Sequence, residues 1–467
     1  MKRGTELELV VEKFADRGKS LSRIDGMVVF VDGAVPGDRV RASIIRKKKK
    51  YADARLVELI EPSPLRTDPA CRHFGVCGGC KWQHVQYNAQ LEAKAMSVRE
   101  AFEHTGGNAA LHVDPIVPSD SPFRYRNKME FSFSAARWLT QNEIDSGEPV
   151  DRSFALGLHV PGNFEKVLDL KECLLVDPVG ERLVNRVRDF AREKGWDPWN
   201  VRTQEGYLRH LVLRVALRTN QAMVNLVTSW PDEARLDAFA TLLRTEFPEI
   251  TTLVSTVNSG VAQTAYGKST TIFGPGSIED QIAGKRFRIG PASFFQTNTA
   301  QADKLYAAAG EFADLTAGDH LYDLYCGAGT IGICLSDKVK SVVGLDVVPE
   351  AIRDAKANVA LNNVSNCTFM QGDAGKLFNE SFVARYGKPD VIVVDPPRTG
   401  LHPAVVEQLA QLRTGRLVYV SCNPQTMARD IAMLDGVYRL DRVRPVDQFP
   451  QTHHVEAVAR LTALTGH

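Results

Sequence analysis

The sequence predicts a multidomain α/β protein in three parts: a small N-terminal β-barrel, a central α+β region on an antiparallel sheet, and a C-terminal doubly wound sheet. Three observations lead there. The chain has 467 residues, enough for roughly three domains of ordinary size. Short alternating runs broken by turn signals fill the N-terminal part. From residue 286 onward, continuous apolar runs alternate with helical stretches, the pattern of parallel strands buried on both faces. The expected divisions are 1–62, 63–285 and 286–467.

Composition narrows the function classes. Lys plus Arg total 57 against 56 for Asp plus Glu, so any surface for a polyanion must be local. No apolar leader-like stretch opens the chain and no long uncharged apolar span follows, which predicts a soluble, cytoplasmic protein without a membrane partner. Eight cysteines are too few for a secreted disulfide scaffold of this length, and their clustering points to metal binding or catalysis.

In the first part, "DRVRASIIRKKKKYADARLVEL" places Val40, Ala42 and Ile44 on one face of a strand and Arg39, Arg41 and Ser43 on the other. Arg46, Lys47, Lys48, Lys49, Lys50 and Tyr51 then fall at an expected hairpin tip. Such a run is commonly a solvated loop, and it is also how a small barrel grips phosphates. The proline-rich "EPSPLRTDP" at 61–69 reads as a linker.

The second part opens with "CRHFGVCGGCKWQHVQY", where Cys71, Cys77 and Cys80 sit in a C-x5-C-x2-C spacing and Gly75, Gly78 and Gly79 let the loop fold tightly. The next cysteine is Cys173. Four sulfurs suit zinc or an iron–sulfur cluster, and the spacing leaves both open. Beyond the loop, "FRYRNKMEFSFS" and "LRHLVLRVALRTNQAMVNLVTSW" read as antiparallel strands. Their polar positions, Arg124, Arg126, Lys128, Arg209 and Arg214, are expected to present a basic, solvated face to RNA.

In the third part the strand ends carry the chemistry. "LYDLY" runs into Cys326, Gly327, Ala328 and Gly329, a glycine turn without the Lys and Ser/Thr of a phosphate loop. "VVGLD" ends in Asp346, placed for a ribose's hydroxyls. "QGDA" offers Asp373 for an adenine amino group, and "VVDPPR" offers Asp395, Pro396 and Pro397. This order of strand ends resembles the S-adenosylmethionine-dependent methyltransferase fold. After Asp-Pro-Pro stands Arg398, where enzymes that methylate exocyclic amines tend to carry an aromatic. Instead, "VSCNP" supplies Cys422 and "HHVEAV" supplies Glu456. A thiol and a carboxylate suit a carbon acceptor. Uracil C5 becomes nucleophilic once a thiolate adds to C6, and a base must then remove the C5 proton.

These motifs together, "CGGC...QH..Y..Q", "YRNKMEF", "FFQTN", "DLYCGAGT", "DPPRTGL", "SCNP" and "FPQTHHVE", resemble the RNA uracil-C5 methyltransferase family. The closest branch is the iron–sulfur-containing one acting on 23S ribosomal RNA, whose first domain is a TRAM-type, OB-like barrel. The resemblance implies Cys422 as nucleophile and Glu456 as proton acceptor. It implies Gln296, Tyr325, Thr330, Asp346, Asp373 and Asp395 around S-adenosylmethionine, with Thr330 standing where some members have Asn. A [4Fe–4S] cluster is implied on Cys71, Cys77, Cys80 and Cys173, structural in role, in a monomer. Lys47 to Lys50, Arg126 and Lys128 are the candidate RNA contacts. His453 and His454 are expected to shape the Glu456 loop. Cys326, Cys334 and Cys367 are expected to pack.

Two alternatives accompany this reading: the T-loop uridine of transfer RNA as target, and a catalytically silent RNA-binding or ribosome-assembly factor. The intact Cys422 and Glu456 argue against the second. Radical methylation is disfavoured because C-x5-C-x2-C lacks the C-x3-C-x2-C spacing of that chemistry.

Overall fold

The computed structural model describes residues 2–105 and 111–464. The first sheet contains β1 (Glu6–Val10), β2 (Lys13–Phe14), β3 (Ser20–Ile24), β4 (Met27–Asp32), β5 (Arg39–Lys47) and β6 (Tyr51–Glu61), in the order β1-β5-β6-β4-β3-β2. β1 and β2 are successive pieces of one bent segment. It pairs with β5 at its start and β3 at its end, so the sheet curls onto itself. Val40, Ala42 and Ile44 face the interior with Val29, Val31 and Ala54, while Arg39 and Arg41 are exposed, as the alternation requires. The turn between β5 and β6 carries Lys48, Lys49 and Lys50, all exposed. The linker is pinned to this sheet because Arg66 donates from Nε and Nη2 to the two oxygens of buried Asp38, each at 2.7 Å.

A long helix, α1 (Tyr87–His104), follows. The second sheet holds β7 (Lys128–Ser134), β8 (Arg137–Trp138), β9 (Ala155–His159), β10 (Val167–Asp169), β11 (Leu208–Ala216), β12 (Gln221–Thr228), β13 (Ile250–Val257) and β14 (Lys268–Phe273), ordered β14-β13-β12-β11-β7-β9-β10-β8. It is mixed rather than antiparallel. β12 and β13 run parallel around the helix Glu233–Glu246, and β10 runs parallel to β8.

The expected basic face of this sheet is not solvated. Arg209 is buried, stacks 4.0 Å from the Trp199 ring, and donates to the carbonyls of Asn258 (3.1 Å), Gly260 (2.6 Å) and Ala262 (2.8 Å). Arg214 is buried and donates to the carbonyls of Pro291 and Ser293. Arg124 donates to the carbonyls of Cys173 and Val176 and pairs with Glu181. Loops fold over the polar face, and the guanidinium groups satisfy loop carbonyls that burial would otherwise leave unpaired.

A hairpin of β15 (Ile278–Ile282) and β16 (Lys285–Ile289) comes next. The division expected between 285 and 286 cuts it at the start of β16. Ile278, Ile282, Phe287 and Ile289 pack with Phe295, Ala302 and Leu305, so the hairpin shares the C-terminal core.

That core surrounds β17 (His320–Leu324), β18 (Ser341–Asp346), β19 (Cys367–Gln371), β20 (Val391–Val394), β21 (Arg416–Ser421), β22 (Tyr438–Val446) and β23 (Glu456–Ala463), ordered β19-β18-β17-β20-β21-β23-β22. β19 to β21 are parallel and β23 runs against them. Successive residues of β20 serve opposite cores. Val391 and Val393 meet the helix Thr299–Ala313, whereas Ile392 and Val394 meet the helices Pro403–Leu412 and Pro424–Ala432. Val98, Ala101 and Phe102 of α1 join that second layer, so a helix from the 63–285 region covers the C-terminal sheet. The chain reverses direction across the sheet between β17 and β20, where a ligand crevice is expected. No helix among the described residues is long and apolar enough to cross a membrane.

Candidate active site

Cys422 follows the last residue of β21 and Glu456 begins β23. Ser421 pairs with Ala457, so the two groups are cross-strand neighbours at one sheet edge. The turn at Cys422 is built by what surrounds it. Asn423 caps the following helix by accepting the Gln425 N–H at 3.2 Å, Pro424 takes the first helical position, and the Ser421 hydroxyl accepts the Asn423 N–H at 3.0 Å. Asn423 also donates to the Arg398 carbonyl at 2.9 Å, tying the Asp-Pro-Pro-Arg turn to the thiol's turn.

Burial, then the neighbouring Glu456 carboxyl, pushes the Cys422 thiol up to about 11, while Arg398 opposes them. Glu456 is buried, and burial together with Asp395 holds its carboxyl well above the usual range, again against Arg398. Burial pushes Asp395 up to about 7. Acidic groups thus converge on one edge, with the Arg398 guanidinium facing them.

The rest of the strand-end set lines up beside them. Tyr325 (φ 63°), Gly327 (φ 54°) and Gly329 (φ 74°) form the turn after β17. A Cβ on Gly329 would lie 2.7 Å from the Phe369 ring, so only glycine fits. Asp346 accepts the Gly327 and Val348 N–H groups, each at 2.9 Å, which fixes its carboxylate at the end of β18. Asp373 accepts the Gly375 N–H at 2.9 Å. The Thr330 hydroxyl is 2.8 Å from the Tyr306 hydroxyl. Gln296 is buried, its side-chain oxygen 3.4 Å from the Gln448 amide nitrogen.

One acid escaped the sequence reading. Asp323 is fully buried within β17, accepts the Gly332 N–H at 2.9 Å through Oδ2, and has no partner for Oδ1. Burial pushes it up to about 7. An aspartate inside the apolar "LYDLY" was the available signal.

Cys422 opens onto a groove of about 830 Å³ between the curled first sheet, α1 and the sheet edge carrying Cys422 and Glu456, with Phe14, Arg17, Met96, Arg398 and His454 on its walls. That volume is at the upper end for a small-ligand site. The His453 and His454 rings lie 4.1 Å apart, tilted 38° to each other, on its wall, and burial pushes them down to about 4 and about 3, favouring neutral rings. Cys326 is buried in the glycine turn, while Cys334 and Cys367 pack beside the C-terminal core.

A second cavity, of about 290 Å³, is lined by Cys71, Cys77, Cys80 and Cys173 together with His73, Arg126 and Thr452. Burial pushes Cys77 up to about 11 and Cys80 up to about 12. Among the described residues, no three His, Cys, Asp or Glu side chains converge closely enough to hold a single ion. Of the candidate RNA contacts, Arg126 therefore faces the thiol cavity. Lys128 is half-buried 4.0 Å from Glu130, and Lys47 to Lys50 stand exposed away from the groove walls.

A family described as tRNA (Uracil-5-)-methyltransferase matches residues 277–463, and a TRAM domain matches residues 1–57. An uncharacterized RNA methyltransferase of Bacteroides thetaiotaomicron is 42% identical over 451 residues, covering 96% of this chain and 99% of that protein. One from Chlorobaculum tepidum is 43% identical over 466 residues, covering 98% and 96%. The chain belongs to the RNA uracil-C5 methyltransferase family. A solved member of this methyltransferase family, the Pyrococcus abyssi tRNA (uracil-54, C5)-methyltransferase in complex with S-adenosyl-L-homocysteine, is 30% identical. It superposes with a TM-score of 0.76 over 98% of this chain and 100% of that one. The match beginning at residue 277 takes in the β15–β16 hairpin, as the shared core does.

Proposed function

We propose that the protein transfers a methyl group from S-adenosylmethionine to C5 of a uridine in 23S ribosomal RNA through a covalent adduct of Cys422 with uracil C6. The carrying observation is the cross-strand placement of Cys422 and Glu456, with Asp395 beside them, at the edge of a groove large enough for a nucleotide. When bound, S-adenosylmethionine supplies a methyl group on a positively charged sulfur. Asp346 and Asp373 would hold its ribose and adenine and Asp395 its cationic end, with Gln296, Tyr325 and Thr330 as walls.

Cys422 adds to C6 as a thiolate; the C6–S bond forms and the C5=C6 electron pair moves towards C5 and O4. C5 then takes the methyl as its bond to sulfur breaks. The Glu456 carboxylate removes the C5 proton, the C5=C6 bond reforms and the Cys422 thiolate leaves. Burial that raises the proton affinity of Glu456 makes it a stronger base once ionised. Arg398 favours the thiolate that the other neighbours of Cys422 oppose.

We assign a [4Fe–4S] cluster to Cys71, Cys77, Cys80 and Cys173. The four thiols line one cavity, and the choice of a cluster over zinc follows the resemblance of the "CGGC...QH..Y..Q" motif to cluster-bearing members of the family. Buried thiols need a cationic centre to ionise them. The mechanism takes no electron from the cluster, so its role is structural. Anaerobically purified protein is expected to be brown with about four irons; stoichiometric zinc without iron would overturn the assignment.

The decisive assay is a denaturing gel with labelled RNA and, separately, labelled methyl donor. Cys422→Ala should form no adduct and transfer no methyl. Glu456→Gln should accumulate a methylated, denaturant-resistant adduct, and 5-fluorouridine RNA should trap the unmodified enzyme. An adduct formed by Cys422→Ala would move the nucleophile elsewhere, with Cys326 first to test. A second reading, the T-loop uridine of transfer RNA, is favoured by the substrate of the Pyrococcus abyssi relative. Mapping 5-methyluridine in both RNAs from cells lacking the gene decides between them. On either reading the protein acts as a cytoplasmic monomer.

A further inference from the structure

Glu456 is delivered by the segment 447–455, which connects β22 to β23 and lies outside every strand and helix. Its position depends on bonds from elsewhere in the molecule. The Asp447 carboxylate accepts the Tyr87 hydroxyl at 2.8 Å and the Lys94 ammonium at 2.5 Å. The Phe449 carbonyl accepts Lys94 at 3.0 Å, and the Pro450 carbonyl accepts the Tyr125 hydroxyl at 3.0 Å. Gln451 is held by four bonds. Its N–H donates to the Gln90 side-chain oxygen, its own side-chain oxygen accepts the Gln90 amide, and its carbonyl accepts the N–H groups of Lys81 and Trp82, each at 3.0 Å.

Gln451 also sits at φ 66°, a left-handed conformation that a non-glycine residue keeps only when its surroundings over-determine it. Gln90 is fully buried. Its amide donates not only to Gln451 but also to the carbonyls of Trp82 and Val85, so one side chain joins α1, the loop after Cys80 and the segment before Glu456. The thiol cavity touches the same segment through Thr452. Two sequence motifs with separate roles on paper, "QH..Y..Q" and "FPQTHHVE", are therefore the two halves of one clamp.

We infer that Gln90 and Gln451 are positioning residues for proton removal, holding the strained turn from which Glu456 reaches the C5 proton. The inference rests on Glu456 being the proton acceptor. Cys422 hangs from β21 and the helix Pro424–Ala432, where its turn is made by Ser421, Asn423 and Arg398 and by none of these clamp bonds. Loosening the clamp therefore delays the step in which the C5–H bond breaks, the proton passes to Glu456, and the returning C5=C6 pair expels Cys422. Addition of Cys422 and methyl transfer come before that step.

The test uses the full chain with Gln90→Met, which keeps the length and removes both bonds to Gln451 together with the donors to the Trp82 and Val85 carbonyls. Adduct formation with 5-fluorouridine RNA should stay within about threefold of the parent. Release from ordinary RNA should slow by about tenfold to a hundredfold, the scale of a small misplacement of a reacting group. Methylated adduct should accumulate, and RNA carrying deuterium at C5 should show an isotope effect on release that the parent does not. Gln90→Glu, which keeps an acceptor for the Gln451 N–H, should fall between parent and Gln90→Met, and answers the question alone if the methionine variant does not fold. Loss of 5-fluorouridine adduct in proportion to turnover, or normal release without an isotope effect, would overturn the inference. Glu456→Gln run alongside separates the failures. If it accumulates adduct and the Gln90 variants do not, the clamp is wrong; if it accumulates none, the assignment of the base is wrong and the clamp falls with it.

Discussion

The central sheet and the C-terminal sheet both bury charged side chains, and they treat them in opposite ways. In the central sheet, Arg209 and Arg214 are consumed by the carbonyls of loops folded across them. At the carboxyl edge of the C-terminal sheet, Asp323 keeps an oxygen without a partner, and Asp323, Asp395 and Glu456 are all driven towards their neutral forms by burial. A buried cation whose Nη groups are taken up by carbonyls, even with Nε left without a partner, holds a loop in place. On the function proposed above, acids held near neutrality at this edge would ionise to meet an incoming cation such as a sulfonium.

The largest effect that can break this comparison lies in the central sheet. Arg209→Met leaves three loop carbonyls without their donor and removes the stack on Trp199. Unfolding in urea should show a loss of about 3 kcal/mol, the scale of leaving several buried acceptors unpaired. The salt dependence of RNA binding should not change. Unaltered stability with a shallower salt slope would restore the solvated RNA face that alternation alone predicts.

The next effect sharpens the other side. Ionised Asp395 favours a bound sulfonium, and its carboxyl in the free protein lies near 7. Affinity for S-adenosylmethionine should therefore rise with pH below 7, by up to about tenfold per pH unit for one coupled carboxylate, and flatten above it. S-adenosylhomocysteine, whose sulfur is neutral, should show a shallower dependence, and Asp395→Asn should remove the difference. Calorimetry in buffers of different ionisation enthalpy reads the proton released. The same raised value sets a sign for stability. Because the folded-state value lies above that of the unfolded chain, the contribution of Asp395 is fully present below about pH 4 and is lost as pH rises through 7. A pH profile of unfolding that is unchanged by Asp395→Asn would refute it.

The difference between the sheets also explains what could be read in advance. Strand ends in a doubly wound sheet are fixed by the connectivity, so Asp346, Asp373, Asp395 and Cys422 could be located from the order of apolar runs, and Asn423–Pro424 announced the helix that bends the chain at the thiol. The alternation in "LRHLVLRVAL" reported correctly that Arg209 and Arg214 lie at polar positions. It could not report that residues 258–262 and 291–293, distant in sequence, close over them. The same blindness to long-range packing hid α1 against the C-terminal sheet and placed a division inside the β15–β16 hairpin. Asp323 was visible as a residue, but its unpartnered oxygen is a property of the fold.

The smallest effect on the fold is expected at the tip between β5 and β6. Lys47 to Lys50 are exposed and stand away from the groove walls, so neutralising all four should change stability by no more than about 0.5 kcal/mol. This site is the counterpart of Arg209: cations at a turn with no loop folded over them. If they contact phosphates, RNA binding should weaken and the slope of log affinity against log salt should flatten by about 0.7 to 0.9 per lost contact. Affinity for S-adenosylmethionine should stay constant, because the tip lies on the first sheet and the proposed cofactor residues lie around the C-terminal one. An unaltered slope would make the run a solvated turn and leave the groove between the first sheet, α1 and Cys422 to bind the RNA by its own side chains. A flattened slope would place the RNA backbone across the tip while its target base reaches Cys422, which requires the strand to run along the outside of the curled sheet before it enters the groove.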